Sequence, residues 1–261
     1  MKNFKLAWLL VAFILAGSGC KKESKESSGG GNGTMDVRMT DDVGLYDKVY
    51  IDVQGISVNI EGKGWVDLAP TRKGIYNLLD FNNGIDTLIA TASVPEGNAI
   101  EIRLLLGPNN SVVIAGISYP LETPSAEQSG YKIKLNQRVI AGERCIVWVD
   151  FNAHKSIVVK GNGGYSLKPV LRCFVHHFTG SIVGDVNPDN AAYFAYAVAA
   201  DNVNDTFMTF LRSDGTFKLW GLWPKSYTVG LMTREKVTVK TISDVSVAAS
   251  KETNLGAITI E

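Results

Sequence analysis

Apolar and polar side chains alternate along much of the chain after residue 35, which is the pattern of half-buried β-strands. One long run has its apolar positions at Val49, Ile51, Val53, Ile56, Val58 and Ile60. These positions switch from odd to even numbers at Gly55, and a one-residue slip would turn the later side chains to the other face. We therefore predict a β-bulge at Gly55, which keeps both halves of the strand on the core face.

Further alternating runs predict more strands, separated by turns rich in glycine, proline and asparagine. In the first half, the runs are 100–106, 131–135, 145–151 and 165–169. The spacing over Ile85–Ser93 is instead compatible with a short helix. In the second half, Asp214-Gly215 predicts a hairpin turn. The positions predicted to face the core there are Phe217, Leu219, Leu222, Tyr227 and Val229.

The first twenty residues have the features of a secretory signal. Lys2 and Lys5 precede an apolar run of eleven residues, Leu6–Ala16, which is too short to span a bilayer. The small residues 17–19 then lead to Cys20. This arrangement resembles a bacterial lipoprotein signal, although Gly17 stands where that signal usually has leucine. The resemblance implies cleavage before Cys20 and acylation of that residue. The alternative is an ordinary secretory signal that is cut nearby.

A polar, Ser/Gly-rich stretch follows Cys20 and predicts a flexible tether. We expect a signal peptide at 1–19, and the lipidated cysteine and tether at 20–34. The protein would then be lipid-anchored in the cell envelope, at the outer membrane, on its periplasmic face or at the cell surface. The overall fold expected is all-β, with two β-sandwich-like domains in tandem after the signal peptide and tether.

Motifs spread over residues 35–174 resemble the domain of unknown function 4382, a family found in bacterial envelope lipoproteins. They include Met39-Thr40-Asp41, Tyr46-Asp47-Lys48-Val49-Tyr50, Gly64-Trp65, Tyr76-Asn77-Leu78-Leu79-Asp80-Phe81, Val94-Pro95-Glu96-Gly97, Ile102-Arg103-Leu104, Asp150-Phe151 and Leu167-Lys168-Pro169-Val170. Ala99 departs from the family, which commonly has an aromatic residue there. The resemblance implies an extracytoplasmic β-rich domain, placed at 35–176, with no known activity.

The spacing of motifs in the second half resembles the transthyretin-like β-sandwich that serves as the regulatory domain of carboxypeptidases. The motifs are Gly180-Ser181-Ile182-Val183-Gly184-Asp185-Val186, Ser213-Asp214-Gly215-Thr216-Phe217, Gly221-Leu222 and Tyr227-Thr228-Val229. Lys225 stands where that family usually has glycine. The resemblance implies a second β-sandwich domain at 177–261. It implies little about function, because such sandwiches serve as spacers, binding modules and interaction domains.

Composition limits the classes of function. The chain has 261 residues, with 26 basic and 26 acidic side chains, so it lacks the basic excess of a nucleic-acid-binding protein. Its 45% hydrophobic residues can supply a core. No Gly-x-Ser-x-Gly, HExxH or phosphate-loop motif is present. We therefore predict a protein that is not an enzyme, with no catalytic residues, metal or cofactor.

Several residues have side chains that could bind a metal ion or form a disulfide. Adjacent Asp41 and Asp42, and the oxygen-rich stretch Asp80–Asp86, could contact a cation but are more typical of turns. The only histidines, His154, His176 and His177, are expected to be solvated or linker residues rather than zinc ligands. Cys145 and Cys173 could form a disulfide if their strands are neighbours, and would otherwise be buried thiols.

Trp220 and Trp223 are the candidate ligand-binding residues. Trp220 has the opposite parity to Phe217 and Leu219, so it is predicted to face outward, where sugar rings could stack on it. The alternatives are a contact with the first domain and simple hydrophobic cover. The leading hypothesis is thus an envelope-anchored binding or adhesion module, whose partner is a glycan or an envelope or host protein. An envelope hydrolase with an unrecognised carboxylate site and a structural spacer are the other hypotheses.

Overall fold

The computed structural model of the protein describes residues 30–69, 72–123, 129–188 and 192–260. The predicted signal peptide, Cys20 and most of the predicted tether lie outside these ranges. Nearly all the regular structure is β-strand, which confirms the all-β, multi-domain prediction. The strands form an N-terminal unit over residues 32–174 and a C-terminal unit over residues 180–259. Among the described residues, no helix is long and apolar enough to cross a membrane.

The strands of the N-terminal unit are β1 (Asn32–Asp42), β2 (Lys48–Ile60), β3 (Gly64–Asp67), β4 (Gly74–Asn77), β5 (Thr87–Pro95), β6 (Gly97–Leu106), β7 (Ser111–Ile114), β8 (Ile117–Glu122), β9 (Tyr131–Val139), β10 (Arg144–Asn152), β11 (Ile157–Val159), β12 (Tyr165–Leu167) and β13 (Leu171–Phe174). Its described helical segments include the one-turn helix α1 (Ala153–Ser156) and the 3-10 turn Leu78–Asp80, and a second 3-10 turn, His176–Phe178, lies in the connection between the units. The strands of the C-terminal unit are β14 (Gly180–Asn187), β15 (Phe194–Ala199), β16 (Asn202–Phe210), β17 (Thr216–Leu222), β18 (Ser226–Met232), β19 (Thr238–Ser246) and β20 (Glu252–Thr259).

Each unit is built from two sheets. In the N-terminal unit, one sheet has the order β13-β10-β1-β5, and the other has the order β11-β12-β8-β7-β2-β6-β9 with β3 and β4 also paired to β2. The C-terminal sheets have the orders β17-β14-β20 and β16-β15-β18-β19. Within the described ranges, no strand of one unit forms a ladder with a strand of the other. The contacts between the units therefore come from side chains and connecting segments.

Buried apolar side chains form two cores. The N-terminal core contains the alternating residues of β1, β2, β6 and β10, and the C-terminal core contains Phe217, Leu219, Leu222, Tyr227 and Val229, as predicted. Phe194 is an exception, because it belongs to the C-terminal chain segment but packs in the N-terminal core. The two cores thus approach each other around β15 and β16.

The predicted bulge at Gly55 is confirmed. The register between β2 and β6 shifts between Val53 and Gly55, and both Val53 and Ile56 are buried despite their opposite parity. The bulge therefore keeps the long strand β2 on the core along its whole length.

Two expectations about local structure are wrong. The segment predicted as a helix, Ile85–Ser93, lies mostly in β5, which pairs antiparallel with β1. Its β-branched residues favour a strand, and the partner that decides the matter lies about fifty residues earlier in the chain. Residues 32–34, predicted to belong to the tether, lie instead in β1, where Asn32 pairs with Pro95.

The two described cysteines are free thiols, so the disulfide considered above is not formed. Their strands β10 and β13 are indeed neighbours, but Cys173 lies opposite Val149, four residues along the strand from Cys145. At ~3.4 Å per residue, this register separates the two Cα atoms by more than 10 Å. A disulfide needs Cα atoms within about 7 Å of each other.

We expect Cys173 to be alkylated only after unfolding. Burial raises the pKa of Cys173 to about 12, with a further contribution from the nearby charge of Asp150, and only the thiolate reacts. The measurement is iodoacetamide labelling without reductant, in buffer and in urea, read by mass spectrometry. In a Cys145→Ser variant, Cys173 should still become labelled in urea. Absence of any labelling of the wild-type pair in urea would instead indicate a disulfide.

Candidate functional site at the junction of the units

The junction begins where β1 ends against β16, an edge strand of the C-terminal unit. The backbone N–H of Val43 donates to the carbonyl of Met208 (3.3 Å). In return, the N–H of Met208 donates to Oδ1 of Asp42. Met208 and Phe210 also pack against the N-terminal core. The edge of β16 is therefore covered by residues of the other unit.

Asn83 is the most heavily bonded residue of the junction. Its N–H donates to Oγ1 of Thr209 (3.2 Å), and its Nδ2 donates to the carbonyl of Phe210 (2.9 Å). Its Oδ1 accepts from the N–H of Lys218, and its carbonyl accepts from Nη2 of Arg212, each at 2.9 Å. Asn83 is buried and has φ of 58°, a left-handed conformation that asparagine tolerates well. All four of its polar groups thus bond the C-terminal unit.

Three buried carboxylates, Asp41, Asp42 and Asp150, lie beside Asn83 and form what we call the carboxylate cluster. Arg172 neutralises part of its charge, because its Nε donates to Oδ2 of Asp150 (2.7 Å). Nη1 of the same guanidinium donates to the carbonyl of Gly221 (2.5 Å), which belongs to the C-terminal unit. Arg172 therefore connects the carboxylate cluster of the N-terminal unit to the backbone of the C-terminal unit.

The two acids at the end of β1 are held mainly by N–H donors. Oδ1 of Asp41 accepts from the N–H of Ala153 (3.2 Å), and Oδ2 of Asp42 accepts from Nδ2 of Asn152 (2.5 Å). Oδ2 of Asp41 and Oδ1 of Asp150 are buried without a hydrogen-bond partner among the described residues. Asp41 and Asp42, predicted as turn residues, instead lie at the end of β1, where Asp41 bonds α1 and Asp42 bonds the C-terminal unit.

Burial is the main influence on the pKa values of Asp41 and Asp42. It raises the pKa of Asp41 well above the usual range for aspartate, and the charges of Asp150 and Asp42 raise it further. Burial and Asp150 also raise the pKa of Asp42, although the N–H of Met208 and the charge of Arg172 oppose this effect. Asp41 and Asp42 therefore retain a proton to a higher pH than an exposed aspartate does.

The cavity at the carboxylate cluster has a volume of about 20 Å³, which is room for a water molecule but not for a substrate. Among the described residues, no group of three or more His, Cys, Asp or Glu side chains is arranged to hold a metal ion. In the oxygen-rich stretch, Asp86 accepts from Nε of Arg38 (2.6 Å) and from Nε1 of Trp148 (2.7 Å). Its carboxylate is thus engaged in fixing side chains of the N-terminal unit.

Trp220 also lies at the junction and does not face open solvent. It is half-buried, and its ring centroid is 5.4 Å from those of both Trp148 and Phe174 in edge-to-face contacts. His176 lies 6.1 Å from the same ring. This arrangement corresponds to the alternative considered above, a contact with the first domain. Trp223 is half-buried in the next turn, and its carbonyl accepts from the hydroxyl of Tyr227 (3.0 Å).

A groove of about 410 Å³ lies between loops of the two units, and we call it the junction groove. Its principal lining residues are Tyr46 and Lys48 after β1, Tyr193 and Phe210 beside β15 and β16, and Arg234 and Lys236 after β18. The alternation of apolar and polar positions along the chain does not identify this groove. Sequence reasoning missed it because the lining residues come from chain segments about 150 residues or more apart.

These features define an all-β, multi-domain protein in which polar side chains bind two sandwich-like units together. Residues 32–169, more than half of the chain, match the family model described as domain of unknown function (DUF4382). The chain belongs to this family, as the motifs of the N-terminal half indicated. The resemblance of residues 177–261 to a carboxypeptidase regulatory domain stays a prediction. No curated protein matches the chain.

Similarity to solved structures is low. The TIE protein of Bacillus anthracis is 10% identical, with 88% of this chain and 34% of that chain covered and a TM-score of 0.24. The shaft pilin spaA of Lactobacillus rhamnosus GG is 9% identical, with 88% and 98% covered and a TM-score of 0.23. BcpA, the major pilin subunit of Bacillus cereus, is 11% identical, with 88% and 70% covered and a TM-score of 0.23. The chain spans about a third of the length of the TIE protein.

Proposed function

We propose that this protein is a lipid-anchored, non-catalytic binding module of the cell envelope, whose two units present one preformed surface. The observation that carries the proposal is the bonding of Asn83, which joins the units through all four of its polar groups. A fixed arrangement lowers the entropy cost of binding a ligand that contacts both units. The junction groove is lined by both units and is such a surface.

The enclosed position of the carboxylate cluster disfavours the hydrolase hypothesis. An acid–base pair must reach the reacting atoms of its substrate, whereas these carboxylates surround a water-sized cavity. Asp42 and Asp150 also bond groups of the surrounding structure. The cluster therefore acts in holding the junction together. A pure spacer would not need a groove lined by aromatic and cationic side chains, so the binding hypothesis is favoured over the spacer.

The anchoring part of the proposal rests on the sequence around Cys20. We expect the wild-type protein to incorporate labelled palmitate and to partition with membranes, because several acyl chains hold a protein firmly. A Cys20→Ala variant should lose both properties, whereas the matched variant Cys145→Ala should keep them. Surface biotinylation of intact cells then distinguishes an outward-facing protein from one on the periplasmic face. Unchanged labelling and partitioning of Cys20→Ala would contradict lipid anchoring.

A glycan is the ligand class proposed from the two tryptophans of the second half, Trp220 and Trp223. Because Trp220 packs between the units, replacing it would disturb the junction as well as any bound sugar. Trp223 makes a cleaner test of a tryptophan-based sugar site, since its side chain lies in the turn before β18. The Trp223→Ala variant is therefore included in the binding experiment described next.

A further inference from the structure

We propose that the junction groove binds an acidic saccharide, a sugar chain bearing carboxylate or sulfate groups. This inference rests on the proposed function, and it specifies the chemical class of the ligand and the groove that binds it. The volume of about 410 Å³ falls within the ~300–1,000 Å³ typical of small-ligand sites, which often lie between domains. Three further properties of the groove point to this class of ligand.

The first property is a fixed aromatic surface. Tyr193 lies edge-to-face with Phe194 (4.6 Å between centroids) and with Phe210 (5.4 Å). Phe194 is fully buried in the N-terminal core, so it anchors this group of rings. A tyrosine has an apolar ring and a polar hydroxyl, and can therefore contact both the C–H face and the hydroxyl groups of a sugar. Tyr46 lines the same groove and is half-buried.

The second property is an excess of cations. Lys48, Arg234 and Lys236 line the groove and are exposed, and none of them forms an ion pair with another described residue. The guanidinium of Arg234 stacks at 4.1 Å from the ring centroid of Tyr193. Stacking orients its planar fork of N–H donors, which suits the bidentate recognition of a carboxylate or sulfate.

The third property is that the groove's own carboxylates already have donors. Oδ2 of Asp47 accepts from the N–H of Gly116 (2.9 Å), and Oδ1 of Asp80 accepts from Nδ2 of Asn77 (2.8 Å). Two acidic side chains thus face three cations.

Nearby charges agree with a positive local potential. The pKa of His154 is lowered by its burial and by the charges of Lys236 and Lys155. Glu235, in the same loop as Arg234, lies outside the groove lining, and hydrogen bonds within its own loop lower its pKa. The groove therefore favours an anionic ligand over a neutral one.

A nucleic acid or an anionic membrane fits these observations less well. Both are extended polyanions that need a broad basic surface, whereas the chain has 26 basic and 26 acidic residues. The cations of interest are confined to a groove that also has aromatic rings. One or two charged groups on a sugar chain match this arrangement better than a continuous phosphate backbone.

The test is affinity electrophoresis of the full-length protein in neutral detergent, through gels containing polygalacturonate, chondroitin sulfate or dextran. We expect retardation by one or both acidic polysaccharides, weaker retardation at higher salt, and none by dextran. The relative retardation by the first two identifies carboxylate or sulfate as the preferred group. Arg234→Glu should weaken binding at least about tenfold, since a hydrogen bond to a charged group is worth ~1.5–3 kcal/mol.

Arg138→Glu is the matched control, because Arg138 is exposed and lines a different groove, of about 520 Å³, formed by β9, β10 and the segment after β13. It should leave binding unchanged. An equal loss with Arg138→Glu, or no loss with Arg234→Glu, would overturn the assignment to the junction groove. Retardation by dextran that Trp223→Ala abolishes would also overturn it, in favour of a neutral-sugar site at that tryptophan. Binding only to phosphatidylserine vesicles would indicate a membrane surface instead.

The outcomes separate this inference from the proposed function. If no polysaccharide retards the protein but Cys20 is lipidated and the protein reaches the cell surface, the saccharide inference fails and the envelope-anchored module stands. If Cys20→Ala changes nothing, the anchoring proposal fails whatever the gels show. Unfolding curves of Arg234→Glu and Arg138→Glu verify that both exposed substitutions leave the fold intact.

Discussion

Replacing Asn83 by alanine should lower the free energy of unfolding by about 3 kcal/mol. The substitution removes the side chain that bonds the carbonyl of Phe210 and the N–H of Lys218, and leaves both groups without that partner at the junction. It also places alanine at φ of 58°, where a Cβ atom is unfavourable. Urea unfolding followed by tryptophan fluorescence measures the effect. Trp148 and Trp220 are in contact across the junction, so they report on it directly.

Two variants separate the lost hydrogen bonds from the backbone strain. Asn83→Gly removes the same side-chain bonds without the strain, and should be about 1 kcal/mol more stable than Asn83→Ala. Asp244→Ala introduces alanine at the same φ of 58° on an exposed residue of β19, and should cost only the strain. If Asn83→Ala is no more destabilising than Asp244→Ala, the polar junction does not contribute to stability.

Raising the pH from about 4 should destabilise the junction, and Asp41→Asn should remove much of this dependence. The carboxylate cluster contains three acids and one guanidinium, and its full ionisation places like charges close together in a buried site. Asn can keep the Oδ1 acceptor for the N–H of Ala153 while removing one of these charges. The variant should therefore be more stable than the wild type at neutral and alkaline pH, and similar to it at pH 4.

The stability falls with rising pH because the pKa values of Asp41 and Asp42 are raised in the folded state. In the unfolded chain, these acids lose their protons near pH 4, whereas the folded state retains protons to a higher pH. Between those limits the folded state binds more protons, so stability falls as pH rises, by up to ~1.4 kcal/mol per pH unit for each proton. Below about pH 4 both states are protonated, and the penalty is absent. Arg172 and Lys155 are the nearby cations that limit the penalty.

Urea unfolding of wild type, Asp41→Asn and Asp244→Asn across pH 4–9 tests this prediction. Asp244 is an exposed acid of β19, so its replacement should leave the pH profile nearly unchanged. The lowered pKa of the exposed Asp214 acts in the opposite direction, and it is common to all three proteins. Parallel pH profiles for wild type and Asp41→Asn would show that the cluster carries no such penalty.

Both predictions concern the same structural feature, the polar contact between the two units. Its role in the proposed function is to keep the loops after β1 and β18 at a fixed separation, because these loops line the junction groove. A loosened junction should therefore weaken ligand binding as well as stability. This consequence can be measured with Asn83→Ala in the same affinity gels.

The amino-acid sequence by itself determined the fold class and much of the local structure. Alternation identified the long strand β2, and the parity switch located its bulge at Gly55, because side chains on a strand alternate with a period of two. The same reasoning identified Phe217, Leu219 and Tyr227 as core residues. It failed for β5, because apolar spacing over a short segment fits a helix as well as a strand, and a distant partner decides between them.

Tertiary structure alone decided the junction. Asn83 looks like a turn residue in the sequence, yet its partners Thr209, Lys218 and Arg212 lie more than 120 residues further along the chain. Cys145 and Cys173 illustrate the same limit, because their strands are neighbours but the register keeps their thiols apart. Periodicity reports which face of a strand is buried. It does not report which other segment covers that face, since that choice depends on packing between parts of the chain that are distant in sequence.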